Sequence, residues 1–478
     1  MKRRAFITTT ARASLATVVA PGLTETVKSF SLTGKTKKEK MIGIQIGAVS
    51  FYDEGVRQVL DHVQKLAGVN TLFIPVFAYN RGLAGRQIPG EPFPDHGVQA
   101  EDSNFVGGYY ATMHDEYYKN TVYKPQFAKA PELGGYDVLA EVIPEARKRN
   151  LKVIAFFADN FGKSRPHFEK LTEVDIDGNP TGEVNLLSPD FRGLLFGLIE
   201  DCARSYDIDG ILWRTERPGP VSNLLDFTHT GGGGPVTSFD PFTLERARRK
   251  GISVDRTVEG FRKLEHFVTQ CRSGPEPVDG RYVTFWRICL EYPEILAWEM
   301  LWIESLRDTY REIYEFTKSI RPELQVGSAL SFKGIYDPFY RARQDLQTLC
   351  NYADFLKIVM YHNVGGVRMH TFIDSSGQTL YGEMEPQQRL DFIGSIMGYE
   401  QMTYEKLESN GLPVSMIERE TRRAIEGAKG FPTKIWPSID IDIPARRFGR
   451  KDPDYAKCTP ESTKEATLAV LNAGAEGI

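Results

Sequence analysis

With 478 residues, 41% hydrophobic and 26% charged, the chain can bury one large core or two ordinary ones, which excludes disordered and fibrous classes. A formal net charge of −4 and an isoelectric point near 6.2 leave no basic footprint, so nucleic acid is not expected as a partner. The five cysteines, at 202, 271, 289, 350 and 458, are far apart and form no CxxC pair; Cys202, Cys289 and Cys350 fall in apolar periodic runs, so buried thiols are expected rather than a disulfide framework.

Residues 1–23, MKRRAFITTTARASLATVVAPGL, set Lys2-Arg3-Arg4 before Ala5-Phe6-Ile7 and a mildly apolar stretch that ends in small residues and Pro21. This resembles a twin-arginine export signal, which makes the twin-arginine machinery an expected partner and a periplasmic or extracellular location the expected destination. The apolar part is too short and too rich in Thr and Ala for a permanent membrane span. Residues 24–40, with five lysines, form a solvated linker, and the fold proper begins near Met41.

From there, short apolar runs alternate with helical patterns. MIGIQIGAVSF is a first strand and Gly55 to Leu66 its helix; VNTLFIPVF is a second strand, followed by a long polar and aromatic loop. Gly135 to Arg149 is a helix and LKVIAFFADN a third strand ending in Asp159-Asn160. Asp175-Ile-Asp177-Gly-Asn179 has part of a calcium-loop pattern but lacks its downstream glutamate, so a β-turn between two short strands is expected. Ser188-Pro189-Asp190 starts a helix with cap, first-turn proline and early acid in order, and Tyr206 to Pro220, YDIDGILWRTERPGP, is a short buried strand that two prolines stop. After glycines 231–234 come helical pieces at LERARRKG and 255–272, then a long helix from Pro293 to Ile320. LQVGSALSF and ADFLKIVMYHN are strands five and six, and helical stretches at 386–409 and 413–428 precede strand seven, TKIWPSIDIDIP. Thr459 to Asn472 is the last helix, and Ala475 to Ile478 starts an eighth strand. The order predicts a (β/α)8 TIM barrel over 41–478 with long loops at 78–133 and 214–292 and its eighth unit truncated at the C-terminus; a doubly wound sheet is the alternative.

The run NLLSPDFRGLLFGLIEDCARSYDIDGILWRTERPGP resembles the helix and fourth strand of glycoside-hydrolase-like TIM barrels, the hypothetical glycosyl hydrolase families allied to α-amylase-like and family-10-like barrels. GGYYATMHDEYYKNT, YPEILAWEMLW and PSIDIDIP are similar to the same group. The resemblance implies a carbohydrate substrate and a glycosidase activity, but not which sugar.

Glycoside cleavage needs two carboxyl groups flanking the bond, and parallel barrels carry their chemistry in the loops after the strands. Glu216, where strand four becomes a loop, is the leading catalytic candidate, as general acid if burial and a second acid hold its pKa near working pH. Arg214 and Arg217 beside it either pair with it or bind an acidic substrate group. Asp440 and Asp442, two residues apart on one face of strand seven's end, are the candidate partners; capping the next loop is their structural alternative. Asp159 and Asn160 are placed to hold sugar hydroxyls, or to cap the following turn. Tyr361 and His362 after strand six, with His96 and His114 in loops, are candidate substrate contacts, and Tyr109, Tyr110, Tyr117, Tyr118 and Trp213 candidate stacking platforms. No HxH or HExxH spacing and no phosphate-cradling glycine motif appears in a strand-to-helix setting, so neither metal nor nucleotide cofactor is expected. The alternatives to a glycosidase are a catalytically inactive glycan-binding barrel and a uronate lyase or isomerase working through Tyr361 and His362.

Overall fold

The computed structural model describes residues 40–79, 81–85, 105–159, 166–227, 233–441, 443 and 455–478. The expected export signal and all but the last residue of the expected linker, together with His96, Asn160 and Asp442, lie outside the described residues. Seven strands pair in parallel and in chain order: β1 (Gly43–Gln45), β2 (Thr71–Ala78), β3 (Lys152–Ala158), β4 (Gly210–Arg214), β5 (Gln325–Leu330), β6 (Phe355–Val359) and β7 (Lys434–Ser438). A doubly wound sheet reverses its strand order at a switch point, and this one never reverses, so that alternative is excluded. On the other side of β1, Gly43 N–H donates to the Ile478 carbonyl at 2.7 Å and Ile478 N–H to that of Met41 at 3.0 Å, around a parallel bridge between Met41 and Gly477. No ladder joins this segment to β7 among the described residues, so the sheet is a curled seven-stranded array and the expected eighth unit is seen only in this short pairing.

The two faces of the sheet hold separate cores because side chains alternate along each strand. Phe73, Ile154, Phe156, Leu212, Ala329, Phe355 and Trp436 cluster inside the curl, whereas their neighbours Leu72, Val153, Ile211, Trp213, Leu356 and Ile435 join the large core under the helices. Inside, Phe355 stacks on Trp436 at 4.2 Å between ring centroids. Gly327 makes room for that ring: a Cβ there would lie 2.1 Å from Phe355. Helices α1 (Val56–Ala67), α2 (Val138–Arg147), α3 (Pro189–Ser205), α4 (Glu294–Ile320), α5 (Asn363–Gly377), α6 (Val414–Gly427) and α7 (Pro460–Asn472) cover the outer face, with further helices between them, Val254–Ser273 and Pro386–Met397 the longest. As expected, Ser188 caps α3, accepting from Phe191 N–H at 3.4 Å, with Pro189 in the first turn.

The expected β-turn holds as a hairpin, Thr172–Val174 against Pro180–Val184, with Asp175 Oδ1 accepting from Asp177 and Asn179 N–H groups. Three helices depart from expectation. Ala48–Glu54 is helical where a continued first strand is predicted; a short apolar run fits either template, and Ala48, Val49 and Phe51 bury one helical face. Arg281–Glu291 is a helix inside the expected 214–292 loop. Helix α5 follows β6 directly, and its Gly365-Gly366 pair is there for packing: a Cβ on Gly366 would lie 1.9 Å from the Leu407 carbonyl oxygen. Four of the five cysteines are buried, and all five are free thiols.

Candidate active site

Parallel pairing places the C-terminal ends of β3, β4, β5 and β6 side by side, and the charged side chains of the curl concentrate there. Ala158 and Arg214 are in register, and the ladder continues one step further, with Asp159 N–H donating to the Arg214 carbonyl at 3.2 Å. Alternation along β4 decides what faces the site: Leu212 and Arg214 point into the curl, while Trp213 packs edge-on against Tyr310 of α4 at 4.8 Å. Trp213, expected as a stacking platform, is therefore part of the helix-facing core, only 1% exposed.

Glu216 sits two residues beyond β4. Its carboxylate pairs with Arg214 and accepts a hydrogen bond from Ser331 Oγ at 3.3 Å, while Lys333 Nζ donates to the Glu216 carbonyl at 2.7 Å. Burial alone would raise its pKa, but the Arg214 guanidinium, aided by Lys333 and Arg368, holds it below the ordinary carboxylate value. Glu216 is thus ionised at neutral pH, the state of a nucleophile or base; the expected condition for a general acid, a pKa near working pH, is not met. Arg217 turns the other way, pairing with Glu173, whose carboxylate also accepts from Trp302 Nε1 at 3.2 Å.

Asp159 is shifted in the opposite direction. It is 5% exposed and neither carboxyl oxygen has a hydrogen-bond partner among the described residues. Burial pushes its pKa up to about 7, against the pull of Arg217 and of the neighbouring Thr215 hydroxyl, and the nearby charges of Glu183 and Glu216 push the same way as burial. Opposed environments of this kind, on neighbouring groups, separate an acid from a base.

Deeper inside the curl, Lys357 of β6 donates to Gln45 Oε1 at 2.8 Å and lies 5.6 and 5.8 Å from the ring centroids of Phe73 and Phe156. Burial and Arg214 lower its pKa to about 7. Tyr361 lies in the same cluster: it stacks on Phe332, and its phenol is raised by burial against the opposing charges of Arg214 and Arg368.

Other expected site residues are held elsewhere. Asp440 accepts from the backbone N–H groups of His362 at 3.0 Å and Val364 at 2.9 Å, and the His362 ring Nδ1 lies 2.8 Å from it. These groups outweigh burial and keep its pKa low, so Asp440 anchors the N-terminus of α5 as a carboxylate, and His362 is committed to the same anchor. His114 Nδ1 lies 2.7 Å from Asp201 of α3, to which Tyr118 and Ser205 hydroxyls also donate. Tyr109, Tyr110 and Tyr118 are buried at 0–1% exposure, pinning their loop to the helix layer instead of offering faces to a sugar.

Lys333, Lys357 and Arg368 were absent from the sequence-based candidates. Lys357 carries a readable signal, a cation in the middle of the apolar strand FLKIV; Arg368 carries none, because its glycine-rich helix is not recognisable by periodicity. Among the described residues no group of three or more His, Cys, Asp or Glu could hold a metal ion, and no helix is long and apolar enough to cross a membrane.

No protein-family model matches the chain, and no curated protein sequence does. Solved structures similar to it include an α-L-fucosidase isoenzyme 2 from Paenibacillus thiaminolyticus, with a TM-score of 0.37 and 11% identity over 91% of this chain and 48% of that one. A β-galactosidase from the haloarchaeon Halorubrum lacusprofundi has a TM-score of 0.43 and 11% identity over 92% of this chain and 52% of that one. A maltogenic α-amylase from Thermotoga neapolitana has a TM-score of 0.34 and 12% identity over 91% and 75%. The chain spans about half the length of the first two. Likeness at this level bears on neither reaction nor residue roles.

Proposed function

We propose that this chain hydrolyses glycosidic bonds by a two-carboxyl mechanism in which Asp159, not Asp440, is the partner of Glu216. The observation that carries this reading is the pair of carboxyl groups after adjacent strands whose pKa values are driven apart, Asp159 up to about 7 and Glu216 below the ordinary range. Protonated Asp159 gives its proton to the leaving glycosidic oxygen, and ionised Glu216 attacks the anomeric carbon or takes a proton from the attacking water. Both Asp159 oxygens are shielded from solvent, so its cover must move for a sugar to reach it.

The test is hydrolysis of a panel of aryl glycosides and oligosaccharides by the wild type and Asp159→Asn. Natural glycosides should lose about 10²- to 10⁴-fold in rate and aryl glycosides with good leaving groups much less. The wild-type kcat/KM should fall as pH rises through about 7, when Asp159 loses its proton. Equal losses on both substrate types would remove Asp159 from the role of donor. Tight glycan binding without turnover of any substrate would favour an inactive, glycan-binding barrel. The lyase or isomerase reading has less support, since His362 is tied to Asp440 and Asn363.

We also propose that the chain is exported folded, on the RRAFI pattern at its start. Replacing Arg3 and Arg4 by lysine should trap precursor in the cytoplasm, and unchanged secretion would sink the idea.

A further inference from the structure

The cations around Glu216 each have an acceptor, with one exception. Arg214 has the Glu216 carboxylate, Arg217 has Glu173, Lys333 has the Glu216 carbonyl at 2.7 Å, and Arg343 has Glu299 at 3.4 Å. Arg368, one and a half turns into α5, forms no ion pair or hydrogen bond with any described residue. It is nevertheless held in place: its guanidinium carbon lies 4.0 Å from the Phe332 ring centroid and 5.2 Å from that of Tyr361, and the two rings stack on each other at 5.7 Å. Packing on ring faces leaves the in-plane N–H groups of a guanidinium available, and those groups match a carboxylate or sulfate fork. A second, independent group is unpartnered close by. The Tyr336 hydroxyl is wholly buried with no hydrogen-bond partner among the described residues, and its ring lies 5.9 Å from that of Phe332, the ring beneath the Arg368 guanidinium.

We propose that Arg368, with the Tyr336 hydroxyl, binds an anionic substituent of the sugar, the carboxylate of a uronic acid or a sulfate ester, so that the preferred substrate is an acidic glycan. This rests on the reading of the site as a glycan site, but not on catalysis. Cation–π packing accounts for where the guanidinium lies, and it leaves a half-exposed cation whose donors no described residue takes up.

Calorimetry on the full chain with methyl glucuronide, methyl galacturonide and a sulfated methyl glycoside, each beside its neutral parent, separates the possibilities without requiring turnover. The anionic sugars should bind more tightly than their parents by about 10- to 100-fold, the worth of a charge-assisted hydrogen bond. Arg368→Gln should abolish the difference and leave the neutral sugars unchanged, and Arg368→Lys, which keeps the charge and loses the fork, should retain part of it. Whichever anion binds more tightly identifies the substituent. Equal binding of acidic and neutral sugars, a preference that survives Arg368→Gln, or no binding by either class would overturn the proposal. An Arg368-dependent preference in a protein that cleaves nothing would leave this inference standing while the hydrolase reading falls; cleavage of neutral sugars with no preference would do the reverse.

Discussion

Around the ends of β3 and β4, a buried and a half-buried carboxyl group have fewer partners than their chemistry asks for, while after β7 one carboxylate is surrounded by donors. Asp159 has no hydrogen bond to either oxygen from the described residues, and Glu216 depends on one guanidinium and a 3.3 Å hydroxyl. Asp440 takes two backbone N–H groups at 3.0 Å or less and the His362 ring besides. The difference separates a site from a fastening. A fully satisfied carboxylate lowers the energy of the fold and has nothing left to offer a substrate, whereas under-satisfied groups hold free energy that a bound ligand can release. Both regions read alike in sequence, as acids at strand ends.

The largest effect that would sharpen this contrast is kinetic. Glu216→Gln should lower kcat on glycosides by about 10²- to 10⁴-fold while its melting temperature hardly moves, measured by steady-state kinetics and calorimetry; retention of more than about a tenth of the activity would break the assignment. The second is structural. Asp440→Ala should cost about 3–5 kcal/mol in denaturant unfolding at neutral pH, because it leaves the start of α5 and His362 without their anchor. The Asp440 pKa is lowered in the fold, so its stabilisation is present above the ordinary carboxylate value and is lost as pH falls through the folded value; the variant and wild type should converge in acid.

A smaller effect, of opposite sign, belongs to Asp159. Its pKa is raised in the fold, so as pH climbs from the ordinary carboxylate value to about 7 the unfolded chain has already released a proton that the folded chain retains, and stability falls. Asp159→Asn should therefore raise the melting temperature by a few degrees at pH 8 and leave it nearly unchanged at pH 4. A destabilised variant at pH 8 would mean that Asp159 is a fastening like Asp440. The smallest expected effect is that of reducing agent, which should barely shift the melting temperature of a protein whose five cysteines are free thiols.

Strand-by-strand, the chain declared itself. Apolar runs such as LKVIAFFA and FLKIV, the Ser188-Pro189-Asp190 helix start and the prolines after β4 are local signals, and local physics carries them into the fold. The same holds for Arg214 at the end of β4 and Glu216 just past it, since a separation of two residues keeps them close whatever surrounds them. What local physics cannot supply is the partner of a group that lies far along the chain. The sequence presents Asp159 as a holder of sugar hydroxyls or a turn cap and Asp440 as a catalytic acid; only the curl of the sheet, which buries Asp159 near Arg217 and brings Asp440 to the first N–H groups of α5, distinguishes them. Arg368 shows the same limit: its helix is built on glycines that packing against Leu407 requires, and that no described residue pairs with it is a fact of the tertiary contacts alone. Charge and polarity are written residue by residue, but whether a charge is satisfied is decided by tertiary contacts, because burial and pairing act through space and not along the chain.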